Sequence, residues 1–254
     1  MLVVISPAKR LDWAEVPVAT TTPVFADQAV ELAQVARGLG VAELRRLMGI
    51  SEDLARLNRD RFAAFAADPA PEALRPAAFG FAGDTYTGLE AHTLDPDALR
   101  WGQDRLRILS GLYGLLRPLD AIQPYRLEMG SRLATPRGTS LYDWWGDRIA
   151  ARLNAEAEAL GTDKLVNCAS VEYFSAADRP ALRLKVVTPV FLEARGGTQA
   201  VVSFWAKKAR GAMARFILEQ RLTDPRDIDG FTAGGYRIDP AQSDATRRVF
   251  VRQA

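Results

Sequence analysis

The sequence is poor in the residues that build the commonest metal and thiol centres. Among 254 residues there is one cysteine, Cys168, and one histidine, His92. A single thiol excludes an internal disulfide and any cysteine-rich zinc or iron–sulfur cluster. A lone histidine excludes paired-histidine metal sites. Long hydrophobic runs are absent: no window approaches about 18 uninterrupted apolar residues, so no membrane span and no membrane partner are expected. The start, MLVVISPAKRLDW, lacks a basic segment, a long apolar stretch and a small-residue cleavage site, which makes a cytoplasmic location the expectation. Lysine is scarce, five of 33 cationic residues, and with the abundant alanine this reads as a compositional bias. The nucleophile elbow GxSxG and the phosphate loops GxxxxGK[ST] and GxGxxG are missing.

What is present is the balance of a soluble globular chain. It is 48% hydrophobic and 25% charged, with a formal net charge of +2, which excludes disorder. There is no internal repeat and no linker long enough to divide it, so one domain over residues 1–254 is expected. Charge is uneven. Residues 205–254 carry ten Lys/Arg against six Asp/Glu, and Lys207, Lys208, Arg210 and Arg215 crowd one acid-free segment.

Periodicity gives an α+β reading: a mixed β-sheet with helices packed around it. LVVIS, AAFGFAG, KLVNCAS, LRLKVVTPVFLEA, QAVVSFW, YRI and VFVR read as strands, with a hairpin at Gly196-Gly197. Helices fit Ala26–Arg37, Val41–Met48, a stretch after the N-cap Ser51, one after Asp95, about 141–160, and AKKARGAMARFILEQRL. GDTYTGLEA reads as a polar turn between glycines.

Polar clusters fall at the strand ends, where sites are commonly built. Ser6 and Lys9 follow the first strand. Asp84, Tyr86 and Thr87 follow AAFGFAG. Tyr125, Arg126 and Glu128 lie in a loop. Asn167, Ser170, Glu172 and Tyr173 follow KLVNCAS, and Lys207, Lys208 and Arg210 follow QAVVSFW. Convergence would give a cleft of several cations with two or three carboxylates; the plainer reading of each cluster is capping and turn hydrogen bonds. On a helix, Lys207 and Arg210 share a stripe. Cys168 sits in an apolar strand with no basic neighbour in sequence, which predicts a buried, inert thiol. The G-L-Y-G run at Gly111–Gly114 is similar to the turn of a helix-hairpin-helix module, whose exposed backbone N–H groups suit a phosphate. A glycine-rich strand turn in the core is the other reading, and Pro118 interrupts the second helix.

Eight motifs in order, MLVVISPAKRLD, GDTYTGL, LRILSGLYGLLRPLD, PYRLEMG, LYDWWG, NCASVEYF, TPVFLEA and SFWAKKARG, span nearly the whole chain. Together they resemble the YaaA family of bacterial peroxide stress resistance proteins. The resemblance implies a cytoplasmic protein linked to lowering free intracellular iron under hydrogen peroxide. It further implies a single domain with a helix-hairpin-helix element and a positively charged cleft for duplex DNA. Carried onto this chain, the hairpin is Gly111, Tyr113 and Gly114, and the cleft cations are Lys9, Arg117, Arg126, Lys207, Lys208 and Arg210. Iron itself could be bound only by carboxylates such as Asp84, Glu128 and Glu172, which suit Mg²⁺ or Ca²⁺ as readily, so no metal and no cofactor are expected.

Two functions follow. One is sequence-independent, salt-sensitive binding of double-stranded DNA in stress protection. The other is an enzyme acting on a small anionic or nucleotide-like ligand. Lys9, Arg126, Lys207 and Arg210 would then hold the anion, and Glu128 or Glu172 would act as acid or base, with Lys9 also among the catalytic candidates. Ser6, Asp84, Tyr86, Asn167 and Ser170 would shape the pocket.

Overall fold

The apolar run after Met1 forms strand β1 (Leu2–Ile5), with every residue buried. Buried on both faces, it sits at the centre of a sheet, as its lack of alternation requires. The computed structural model describes residues 1–253 of the chain. A short strand β2 (Arg10–Leu11) and a loop lead to helices α1 (Ala26–Arg37), α2 (Val41–Met48) and α3 (Glu52–Ala64). The Ser51 hydroxyl caps α3 by accepting from the Leu54 N–H. Only part of the apolar face of α3 is used: Phe62 and Phe65 are buried, while Leu54 and Leu57 stay exposed.

The next segment departs from its sequence reading. After strand β3 (Arg75–Pro76), AAFGFAG is a single helical turn, α4 (Ala77–Gly80), followed by the two-residue strand β4 (Phe81–Ala82). GDTYTGLEA is a helix, α5 (Asp84–Leu89), where a turn is predicted. Gly88 explains the difference, for it is a packing glycine. A Cβ there would lie 2.0 Å from the Lys208 carbonyl oxygen.

Helix α6 (Pro96–Arg105), capped by Asp95, leads into β5 (Leu106–Ser110), β6 (Gly114–Leu116) and β7 (Ala121–Ile122). The predicted long helix over 141–160 is two, α7 (Leu141–Trp145) and α8 (Arg148–Ala159), broken at Gly146 with φ +50°. Then follow β8 (Lys164–Cys168), α9 (Val171–Phe174), β9 (Lys185–Arg195) and β10 (Thr198–Ala200). QAVVSFW pairs back only through Ala200, and helix α10 (Ser203–Glu219) already begins at its serine. Strands β11 (Arg237–Ile238) and β12 (Arg247–Gln253) close the chain.

The main sheet has the order β11-β12-β9-β8-β1-β5-β6, with β10 on β9. Its centre is parallel: β12 on β9, β9 on β8, β8 on β1 and β1 on β5. The edges are antiparallel, with β6 on β5, β11 on β12 and β10 on β9. This is a single α+β domain with a mixed sheet. Helix α10 lies across β1, β8 and β9 and crosses α5 in backbone contact.

The helix-hairpin-helix expectation is corrected here. Gly111 to Gly114 join two strands, β5 and β6, in a tight turn. The turn is buried, and Leu112 and Tyr113 are almost wholly enclosed. Its glycines serve packing: a Cβ on Gly111 would meet the Leu127 carbonyl oxygen at 2.2 Å, and one on Gly114 the Trp145 ring at 2.7 Å. The Tyr113 N–H donates to the Ser110 hydroxyl, so this buried strand turn lacks the exposed backbone of a helix hairpin at Gly111, Tyr113 and Gly114.

Candidate functional site

The chain leaves β1 toward β5 on one side and returns to β8 on the other. Strand order therefore reverses between β1 and β8, and in parallel sheets ligands bind at the carboxyl ends of such a pair. Ser6 follows β1 and Ser170 follows β8. The Ser170 N–H donates to the Ser6 hydroxyl at 2.9 Å, and the two hydroxyl oxygens lie 3.3 Å apart.

The other motif loops gather round this pair. Strand β2 pairs with β4 and brings the start of α5 against the loop after β1, where Gly83 stands beside Ala8. From α5, the Tyr86 hydroxyl donates to the Ser6 carbonyl at 3.2 Å. At the end of β5, Ser110 shares a 2.6 Å hydrogen bond with the Tyr125 hydroxyl. The bare Gly111 lets the Leu127–Glu128 backbone lie directly on the β5–β6 turn. Tyr86, Tyr125 and Tyr173 are all buried, and loss of solvent is the main cause that raises each phenol above its ordinary value. They are neutral donors at neutral pH.

Glu128 is the buried carboxylate of the group. Its Oε1 accepts from Lys9 Nζ at 3.3 Å and from Arg126 at 3.0–3.1 Å. Its Oε2 is buried with no partner among the described residues. That orphaned oxygen is poised as an acceptor. Glu172 is exposed, and its carboxylate accepts from the Gly130 N–H at 3.0 Å, tying the PYRLEMG loop to α9. Asn167 turns inward, accepting from the Ala169 N–H and reaching Thr188, so it shapes the end of β8. Asp84 is half-buried and has no hydrogen-bond partner among the described residues.

The cations separate into three groups. Lys9 and Arg126 are held by Glu128. Arg117 is elsewhere: it lies beyond β6, toward the opposite edge of the sheet, bound to Asp120 and the Thr22 carbonyl. It is not part of a common cleft. On α10, Lys207 and Arg210 share one stripe, while Lys208 looks the other way into a separate cavity. The charge run is therefore not one face. Arg210 is half-buried beside Cys168 and has neither a hydrogen bond nor an ion pair among the described residues. Burial lowers its affinity for its proton and the neighbouring thiol only partly offsets this. A half-buried guanidinium with no carboxylate beside it attracts an anion.

Cys168 itself is fully buried at the end of β8, and burial pushes its thiol up to about 12. It is the protonated, inert thiol the strand predicts. His92 packs edge-on against Phe79, with ring centroids 4.9 Å apart. Among the described residues, no three His, Cys, Asp or Glu side chains gather at metal-binding spacing. Ser110 is the member of the site that sequence reasoning missed; the signal was a polar residue directly after the apolar Ile108–Leu109 pair of a buried strand.

The chain is an α+β protein whose polar strand-end cluster lies at the switch point of a mixed sheet. The chain belongs to the YaaA family: the family model described as peroxide stress protein YaaA matches residues 1–242. It is similar to UPF0246 proteins of Ruegeria pomeroyi (63% identity over 99% of this chain and 98% of the relative) and Roseobacter denitrificans (61%, over 99% and 98%). A UPF0246 protein of Dinoroseobacter shibae is 63% identical over 99% of this chain and 95% of its own. No helix among the described residues is long and apolar enough to cross a membrane.

Proposed function

We propose that this peroxide stress protein acts by binding a small anion, of phosphate or carboxylate type, at the carboxyl ends of β1 and β8. The observation that carries this reading is Arg210: a half-buried guanidinium with no acceptor among the described residues, on the same stripe of α10 as the exposed Lys207. It stands beside the end of the strand that supplies Ser170. Ser6 and Ser170 would orient the anion. The unpartnered Oε2 of Glu128 would accept a proton from a bound ligand or water, in the role of a general base. Lys9 and Arg126 would hold that carboxylate in place. The iron-lowering outcome that the family resemblance implies would follow from what is done to this ligand.

The test is titration with inorganic phosphate, pyrophosphate and citrate, followed by thermal unfolding. One of them should raise the midpoint of the wild type and leave Arg210→Gln unmoved. Equal stabilisation of both proteins by every anion would sink the reading.

Duplex DNA is the second reading, favoured by one observation. Lys207 and Lys208 carry no ion pair among the described residues, and the exposed Phe204 and Trp205 stand just before them. Cations with adjacent aromatics suit a nucleic-acid backbone and its bases. The buried β5–β6 turn and the remote Arg117 leave this segment as the part of the basic candidates with adjacent exposed aromatics. Binding would then be weak and salt-sensitive, and Lys207→Glu with Lys208→Glu would abolish it. Anisotropy of a labelled duplex at two salt concentrations decides.

A further inference from the structure

The face of α10 opposite Arg210 borders a cavity of about 470 Å³. Its walls come from three places: the end of α5, the length of α10, and residues 231–236 with Arg252 of β12. The volume is within the range of small-molecule sites, roughly 300–1,000 Å³. None of it overlaps Ser6, Ser170, Glu128 or Arg210.

The lining is chemically specific. Trp205 forms one wall, and the Arg252 guanidinium stacks on its ring at 4.0 Å from the centroid. Arg252 is itself fixed by Glu193, which also accepts from the Tyr236 hydroxyl. The stack is therefore anchored from beneath by a buried ion pair. Phe216 and Phe231 meet at 5.8 Å on another wall. Gly234, at φ +67°, leaves bare backbone in the cavity wall in a conformation that side-chain-bearing residues avoid.

Charge within the cavity is almost balanced. Arg215 is bound by the Leu89 and Glu90 carbonyls, the Thr93 hydroxyl and the Glu219 carboxylate. Arg252 has Glu193. Lys208 alone has no hydrogen bond or ion pair among the described residues, and it is half-buried there. The site thus offers aromatic walls for a flat ring and one uncompensated ammonium.

We infer that this cavity is a second ligand site, taking a planar aromatic molecule that carries one anionic group. The ring lies against Trp205 and Phe216, and the anionic group reaches Lys208. A nucleoside monophosphate and an indole carboxylate both have this chemistry. The inference does not rest on the strand-end anion site, because the two use opposite faces of α10.

The experiment is calorimetric titration of the full chain with adenosine 5′-monophosphate, indole-3-acetate, adenosine and inorganic phosphate. Wild type, Lys208→Met, Trp205→Leu and Arg210→Gln are compared. Lys208→Met keeps the aliphatic stem at a half-exposed position, so it folds. At least one aromatic anion should bind. Its affinity should fall about tenfold or more in Lys208→Met, as expected for a lost charge-assisted contact, and also in Trp205→Leu. Arg210→Gln should bind as wild type does. Failure of both aromatic anions to bind overturns the inference. So does binding that Lys208→Met leaves intact, or binding that only Arg210→Gln removes, which would place it at the strand ends.

Discussion

Single residues decide what kind of chemistry is open to this protein. Cys168 is fully buried and burial raises its thiol, so it offers no exposed thiolate for a thiol peroxidase step. The native protein should be inert to a thiol-reactive dye and should react once unfolded; fast labelling of the folded chain would contradict this. All six tyrosines have phenols raised above their ordinary value, mainly by burial. The folded state thus favours neutral phenols, and ionisation favours unfolding. Stability should be indifferent to these groups below about pH 10 and fall as pH rises beyond it. Absorbance titration should show phenolate appearing together with unfolding. Asp224 is the acid counterpart. Hydrogen bonds from Arg226 and Lys164 hold its carboxyl well below the usual carboxylate range. Its stabilising effect is present above about pH 4 and is lost as pH falls below that value. Asp224→Asn should make urea unfolding less sensitive to pH in that window.

At the scale of elements, the crossing of α5 and α10 is the joint that positions the site. A Cβ on Gly211 would fall 1.7 Å from the Thr85 carbonyl oxygen, and one on Gly88 would be almost as close to that of Lys208. Neither clash involves a flexible side chain, so the helices must part. Gly211→Ala should destabilise the fold by about 3 kcal/mol or more, the upper range for overpacking, as read from denaturant midpoints. This joint also explains what was legible in the sequence. Helices with a side-chain cap and an amphipathic stretch, such as those after Ser51 and Asp95, were readable locally. GDTYTGL was not. Its glycines signal a turn in sequence, and only tertiary contact with α10 reveals Gly88 as the condition for close packing. The GLYG run failed for the same reason. Two glycines three apart suit a phosphate-binding turn and a buried strand turn equally, and the choice depends on Leu127 and Trp145, distant in sequence. The contacts of Ser6 with Ser170 and Tyr86 join three of the polar clusters that the sequence places after strands or turns. The remoteness of Arg117 was not, because the antiparallel return of β6 sets it.

For the whole molecule, the cations number 33, yet most are paired or exposed singly, and the net charge is small. What distinguishes one face is a polar network at the carboxyl edge of the sheet, with one half-buried guanidinium, Arg210, that has no protein partner among the described residues. Family membership supplies the physiological setting, peroxide stress. The site supplies the hypothesis of how it acts, by holding an anion at the β1–β8 ends. The most direct measurement is survival under hydrogen peroxide of cells whose own copy is deleted and replaced by wild type, Arg210→Gln or Cys168→Ala, at matched protein levels. The account predicts that Cys168→Ala protects as wild type does and that Arg210→Gln loses protection. Full protection by Arg210→Gln would contradict it.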